Sequence, residues 1–185
     1  MRKNFGVKSW FYPQPVLIIA TYDENGNPDA MNAAWGGLYD GNKVELCLSA
    51  GHKTTKNIQA TGAFTVSFAD AANLVASDYV GLASANTEPN KMEKSGFHLT
   101  KSEFVNAPLI DELPVAMECK LIKINEDGNV IGEIVNVSAD VSVLGEDGNI
   151  DFSKFRPISF EPVHNGYHVL GERVGNAFQD GAALK

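Results

Sequence analysis

Residues 49–57 read Ser-Ala-Gly-His-Lys-Thr-Thr-Lys-Asn, and they separate two runs of different character. The run at 44–48 has the composition of a β-strand, whereas residues 54–61 favour a short helix that Gly62 ends. The start of a helix carries unpaired N–H groups and a partial positive charge, so it attracts phosphate. Side chains of the stretch add hydroxyl and ammonium donors: Ser49, Lys53, Thr54 and Thr55. The stretch therefore predicts a phosphate cradle where a strand gives way to a helix.

A plainer interpretation of the same stretch stays open. Thr54 or Thr55 caps an ordinary helix, and Lys53 and Lys56 are simply solvated. A nucleoside triphosphate loop is disfavoured, because that motif needs a glycine directly before its lysine and His52 stands there instead. The chain also lacks the Gly-rich fingerprint of a Rossmann dinucleotide site.

Short strands and tight turns dominate the rest of the chain. Strands are predicted at 16–22, 29–35, 43–48, 63–68, 115–125, 130–143, 156–163 and 167–170. The pair Gly36-Gly37 is expected to end the strand at 29–35. In the strand at 63–68, alternating apolar residues predict one buried face. Helices are brief, with one at 71–76 capped by Asp70 and a single turn at 91–94.

This pattern predicts an all-β fold with few short helices, in which antiparallel strands close or nearly close into a barrel. The chain has 185 residues, which is enough for one domain with a full-sized core, so we expect residues 1–185 to form a single domain.

Charge, cysteine content and hydropathy limit the binding partners and the cellular location that we expect. The formal net charge of −8 argues against a nucleic-acid or anionic-membrane surface. Cys47 and Cys119 lie in apolar runs without metal-ligand spacing, so buried reduced thiols are expected. The apolar run at 16–20 is too short to span a membrane and lacks the layout of a signal peptide. We therefore expect a cytoplasmic protein.

No self-sufficient catalytic set stands out. The histidines are not paired at metal-binding positions on a helix, and there is no Gly-x-Ser-x-Gly motif. We therefore predict neither a metal site nor a catalytic side chain, and we expect any chemistry to belong to a bound cofactor.

A series of motifs carries a family resemblance. In chain order they are Pro-x-Pro at 13–15, VLIIAT at 16–21, DxxGxPD at 23–29, MNAAW at 31–35, HKTTKNI at 52–58, TGAFTV at 61–66, IGEI at 131–134 and YHVLG at 167–171. Each is short, but their order and spacing resemble the flavin reductase-like, FMN-binding split-barrel family, and within it the flavoredoxin-type branch.

The resemblance implies a six-stranded antiparallel split barrel of Greek-key type and a homodimer. It also implies FMN held without a covalent bond near the subunit interface. The FMN phosphate would lie on the predicted cradle, contacted by Ser49, Lys53, Thr54 and Thr55, with Asn57 nearby. Ala50, next to Ser49, is also predicted to bind the cofactor.

The resemblance places the strand at 32–35 against the isoalloxazine ring. Asn32, Ala33 and Ala34 would offer hydrogen bonds and a close approach to the ring edge. Trp35 would stack on the ring or line its pocket, although an aromatic residue in a barrel strand also fits the core.

Two more residues match family positions. Lys91 resembles a loop lysine that reaches the flavin, although a solvated loop charge is the alternative. Phe160 would cover the ring or else pack in the core. Some relatives carry a histidine where this chain has Asn129 and Val130. Whether a protein group donates a hydrogen bond to the flavin from this position is therefore left open.

Two functions are compatible with this resemblance. One is an NAD(P)H-dependent flavin reductase, in which Lys91, Lys94 or Arg156 would attract the nucleotide. The other is a flavoredoxin-like electron carrier without a pyridine-nucleotide site, for which the acidic charge balance suits docking onto a basic redox protein.

Overall fold

A computed structural model describes residues 1–185 as twelve β-strands and three short α-helices. The strands are β1 (Gln14–Pro15), β2 (Leu17–Tyr22), β3 (Pro28–Ala33), β4 (Gly36–Asp40), β5 (Lys43–Leu46), β6 (Ala63–Phe68), β7 (Leu99–Lys101), β8 (Pro108–Ile110), β9 (Val115–Ile124), β10 (Val130–Ala139), β11 (Ile158–Glu161) and β12 (Gly166–Val169). The helices are α1 (Lys53–Thr61), α2 (Leu74–Leu82) and α3 (Lys91–Ser95). The predicted all-β class with few short helices is confirmed. None of the helices is long and apolar enough to cross a lipid bilayer.

Seven antiparallel strands form the main sheet, in the order β3-β2-β6-β9-β10-β5-β4. Its two edge strands, β3 and β4, are consecutive in the chain and are joined only by Ala34 and Trp35. Three Cα steps from Ala33 to Gly36 reach at most about 11 Å. Edges six strand spacings apart would stand about 29 Å apart in a flat sheet. The sheet must therefore curl until its edges approach, which gives the predicted split barrel, with seven strands in its sheet rather than the six that the resemblance implied.

Strand β3 ends before Gly36-Gly37, as expected, but the two glycines themselves lie in β4. A Cβ at position 36 would lie 2.8 Å from Leu46 Cδ2 and 3.1 Å from Leu17 Cδ1. A side chain there would collide with two residues of the barrel interior. The glycine thus serves close packing rather than chain termination.

The barrel interior is filled from several strands and from α1. Its buried members are Leu17, Ile19, Val44, Leu46, Leu48, Ile58, Phe64, Val66, Cys119 and Val130. Phe64 and Val66 of β6 face this interior, as the alternation predicted. The opposite face of β6 is buried too, because Thr65 Oγ1 donates to Pro108 O of β8 at 2.6 Å. The expectation of a strand with one solvated face is therefore wrong.

A second apolar cluster lies on the outer face of β2 and β3, beneath α2. It comprises Val16, Ile18, Ala20, Ala30, Ala69, Val80, Phe97, Ile110, Leu113 and Ile158. Because β2 contributes alternate residues to both clusters, it is buried on both faces. Helix α2 contributes Val80 to the second cluster and packs against β3.

Some boundaries differ from the predictions. The helix expected at 71–76 lies instead at Leu74–Leu82, and residues 71–73 form a turn in which the Asp70 side chain accepts the backbone N–H of Asn73 at 2.9 Å. Strand β10 ends at Ala139 rather than at residue 143. Cys119 is buried as expected, whereas Cys47, just beyond β5, is exposed.

Candidate functional site

The start of α1 has no side-chain cap. His52 is its N-cap residue, with φ −65° and ψ 140°, and its carbonyl accepts the N–H of Lys56 at 3.2 Å. The backbone N–H groups of Lys53, Thr54 and Thr55 make no hydrogen bond. The alternative in which Thr54 or Thr55 caps the helix is therefore wrong. Three free amides remain at the positive end of the helix dipole.

The threonine hydroxyls are directed to acceptors within the protein. Thr54 Oγ1 donates to Asp29 Oδ2 at 2.6 Å, and Thr55 Oγ1 donates to Ser49 O at 2.9 Å. Both threonines are buried. The donors left over at this helix start are consequently backbone amides rather than threonine hydroxyls.

Lys53 is held in place by two neighbours. Its ammonium lies 2.8 Å from Asn57 Oδ1 and 3.3 Å from Asp23 Oδ2. The pKa of Asp23 is lowered to about 2, chiefly by the backbone N–H of Asn27, and Lys53 contributes. The buried Asn57 amide in turn donates to Thr21 Oγ1 at 3.0 Å. The residue that accepts from the Lys53 ammonium is therefore itself held in place.

Lys91 is buried, so the alternative of a solvated loop charge is wrong. Its side chain is 3% exposed and its ammonium lies 3.2 Å from Oδ1 of Asp29, which is 2% exposed. The Asp29 carboxylate also accepts the Thr54 hydroxyl, so it joins β3, α1 and α3. An ammonium carries three N–H donors, and this one uses only one of them. Asp29 is thus a site residue that the sequence pattern did not predict.

These groups surround a pocket of about 170 Å³ between the start of α1 and the end of α2. Its polar lining comes from Asp29, His52, Lys53, Thr54 and Lys91. The end of α2 and the residues after it, 80–85, form the opposite wall. Ser49 and Ala50 lie exposed at the turn before α1. The structure thus brings the predicted cradle residues and Lys91 together.

The end of β3 contacts α2. Asn32 Nδ2 donates to Ser77 O at 3.0 Å, and a Cβ at Gly81 would lie 2.9 Å from Asn32 Cβ. Asn32, Ala33 and Ala34 are only partly buried. This amide is consequently tied to the helix, while the small residues after it leave the strand accessible.

Trp35 is 58% exposed, so placing it in the barrel core is wrong. With Ala34 it lines a second pocket of about 300 Å³, next to Phe11 and Cys47. This indole lies at the corner where the chain crosses from β3 to β4, and it is available to a ligand or to another chain.

Phe160 is half-buried against the second apolar cluster. Its ring centroid is 5.9 Å from that of Tyr167, whose hydroxyl donates to Asp78 of α2 at 2.7 Å. Burial and Asp78 raise the pKa of Tyr167 to about 12. Phe160 thus stands beside α2, and it does not line the pocket at the start of α1.

Fold and site together define a split-barrel protein whose rim presents an uncapped helix start and a buried lysine. The profile of the flavin reductase like domain family matches residues 9–159, and the chain belongs to that family. The family that the motifs predicted is confirmed.

Solved structures agree with this assignment. Flavoredoxin of Desulfovibrio vulgaris (Miyazaki F) is 36% identical, with a TM-score of 0.93 over 98% of this chain and 100% of that chain. Flavoredoxin from Methanosarcina acetivorans is 23% identical, with a TM-score of 0.89 over the whole of both chains. An FMN-binding domain of a flavin reductases-like enzyme from Shewanella baltica OS155 is 22% identical, with a TM-score of 0.78 over 88% of this chain and 89% of that chain.

Proposed function

We propose that this protein binds FMN and transfers electrons through it. The observation that carries the proposal is the set of three free amides at the start of α1, beside a lysine and a pocket. The Shewanella baltica relative is described as FMN-binding, which supports the same ligand here. Bound FMN would supply the redox chemistry, since it accepts and releases electrons or hydride.

The residues present fit a phosphate group. In our proposal, the amides of residues 53–55 donate to phosphate oxygens, and Lys53 adds charge from its support on Asn57. Ser49 and Ala50 border the same place. Thr54 and Thr55 act by fixing the helix start, because their hydroxyl protons already have acceptors.

The ring would lie along the end of β3. Asn32, Ala33 and Ala34 form an accessible strand end there, and the exposed indole of Trp35 follows it. Lys91 offers two unused N–H donors in the adjoining pocket, which suits acceptor oxygens or nitrogens of a flavin. Phe160, which packs beside Tyr167, would cover the ring.

The apolar surface around β4 supports a homodimer with the flavin near the interface. Leu38 and Tyr39 of this edge strand are 75% and 52% exposed, and Trp35 just before it is 58% exposed. Phe11 lies close by. Exposed apolar edge strands commonly pair with another chain. A sedimentation experiment showing a flavin-loaded monomer would contradict this part of the proposal.

The pairing of the lysines favours an electron carrier over a pyridine-nucleotide enzyme. Lys91 is paired with Asp29, and Lys94 with Glu88 at 2.9 Å, so both cations already have carboxylate partners. The formal net charge of −8 suits docking onto a basic redox protein. An NAD(P)H-dependent flavin reductase is the second candidate, because Arg156 stays exposed and makes no ion pair.

An absorbance spectrum of the purified protein, repeated after adding FMN and desalting, tests flavin binding first. Retained flavin bands support the proposal, and a colourless protein that retains no added FMN contradicts it. Anaerobic addition of NADH, NADPH or dithionite then separates the candidates. Reduction by dithionite alone supports the carrier, whereas rapid bleaching by either nucleotide supports the reductase.

A further inference from the structure

The ion pair between Asp29 and Lys91 is the most deeply buried charged contact of the site. Both side chains are almost fully enclosed, and the Thr54 hydroxyl binds the second oxygen of the carboxylate. Removing one member of a buried pair leaves the other uncompensated in a medium that screens charge poorly. The position of the Lys91 ammonium therefore depends directly on Asp29.

The pair borders the pocket at the start of α1, and both residues line it. A charge fixed next to a bound redox group changes the relative stability of its oxidised and reduced forms. Reduction adds electron density to a flavin ring, so a cation beside it favours the reduced form and an anion opposes it. Lys91 would therefore raise the reduction potential of the flavin and Asp29 would lower it, and the difference between the two effects sets the net shift.

We infer that Asp29 is a positioning residue that tunes the flavin. It holds the Lys91 ammonium at the pocket wall and offsets its charge, which keeps bound FMN from being reduced too easily. This inference rests on the proposed function. A purely structural brace between β3 and α3 is the competing explanation, and it predicts no effect on the flavin.

The test compares midpoint potentials of bound FMN in four proteins. Asp29→Asn keeps an acceptor for Thr54 and removes the counter-charge of Lys91, so reduced FMN should gain about tenfold in affinity over oxidised FMN, a rise of about 30 mV. Lys91→Met should shift the potential by a similar amount in the opposite direction. The double variant should return to within about threefold of the wild type, or about 15 mV.

Asp147→Asn is the matched control, because it removes an exposed carboxylate from the turn at 145–149, outside β3, β4 and the lining of the pocket at the start of α1. It should leave the potential unchanged. Equal potentials in all variants, together with lower resistance to urea, would show a structural brace and overturn the inference.

The single variants are independent tests, so failure of either one to fold leaves the other to decide by the sign of its shift. Wild-type protein that retains no flavin overturns the proposed function and this inference together. Wild-type protein that binds FMN, with potentials insensitive to Asp29 and Lys91, overturns the inference alone.

Discussion

Substituting aspartate for His52 should stabilise the empty protein and weaken its binding of FMN. His52 holds the N-cap conformation of α1 but supplies no capping hydrogen bond. An aspartate at this position accepts the free amide of Thr54 or Thr55, because N-cap carboxylates bond to the second or third residue of a helix. The same amides are the ones we assign to the FMN phosphate.

The expected gain in the free energy of unfolding and the expected loss of FMN binding free energy are of similar size. A new N-cap contributes about 1 kcal/mol to the free energy of unfolding. A carboxylate roughly 5 Å from a phosphate charge costs about 0.8 kcal/mol at the dielectric constant of water and about 3 kcal/mol at an effective value near 20. A penalty of about 2 kcal/mol corresponds to FMN binding weakened about thirtyfold.

Urea unfolding of the flavin-free protein measures the first effect, and fluorescence titrations with FMN and riboflavin measure the second. Riboflavin has no phosphate, so its affinity should change little in His52→Asp. His52→Asn separates cap from charge, since it should stabilise the helix similarly and weaken FMN binding less. Equal losses for FMN and riboflavin, or no gain in stability, would refute the assignment of the phosphate to this helix start.

Three further predictions concern acid stability, packing and assembly. Because the folded-state pKa of Asp23 is lowered to about 2, mainly by the Asn27 amide, its stabilising contribution is complete above about pH 4 and is lost as pH falls towards 2. Acid unfolding should show a smaller loss over that window in Asp23→Asn. Gly132→Ala should cost about 1–3 kcal/mol in urea unfolding, since its Cβ would stand within contact distance of the buried Phe64 ring, and an unchanged midpoint would contradict this. Trp35→Ser should leave the stability of the monomer unchanged but shift a dimer towards monomer in sedimentation, because the indole is exposed.

Local pattern was enough to predict most strands and the position of α1. Alternation in residues 63–68 gave the interior face of β6 correctly, and the turn signals located the hairpins. The pattern failed where tertiary packing decides. Gly36 looks like a strand breaker in the sequence, yet its missing side chain is what allows β4 to pass Leu46 and Leu17.

In the candidate site, too, local pattern predicted some features and tertiary packing decided others. Hydroxyl, lysine and glycine residues marked the start of α1, but sequence could not distinguish a threonine cap from free amides, because that depends on where each hydroxyl points. Lys91 belongs to a polar stretch that is typical of a loop, and its partner Asp29 lies 62 residues away in the chain. Only the three-dimensional fold makes that pair visible.

The two-residue link between the edge strands also bears on how the barrel forms. Three hairpins, β2–β3, β4–β5 and β9–β10, are local in the chain and can form early. The pairing of β5 with β10, through Leu46 and Val130, joins segments far apart in sequence, and such closures are slow. Until that pairing forms, β5 and β10 each keep an unpaired edge, so both edges stay open to pairing with other chains. We therefore expect refolding yield to fall with protein concentration, with β5–β10 closure limiting the rate.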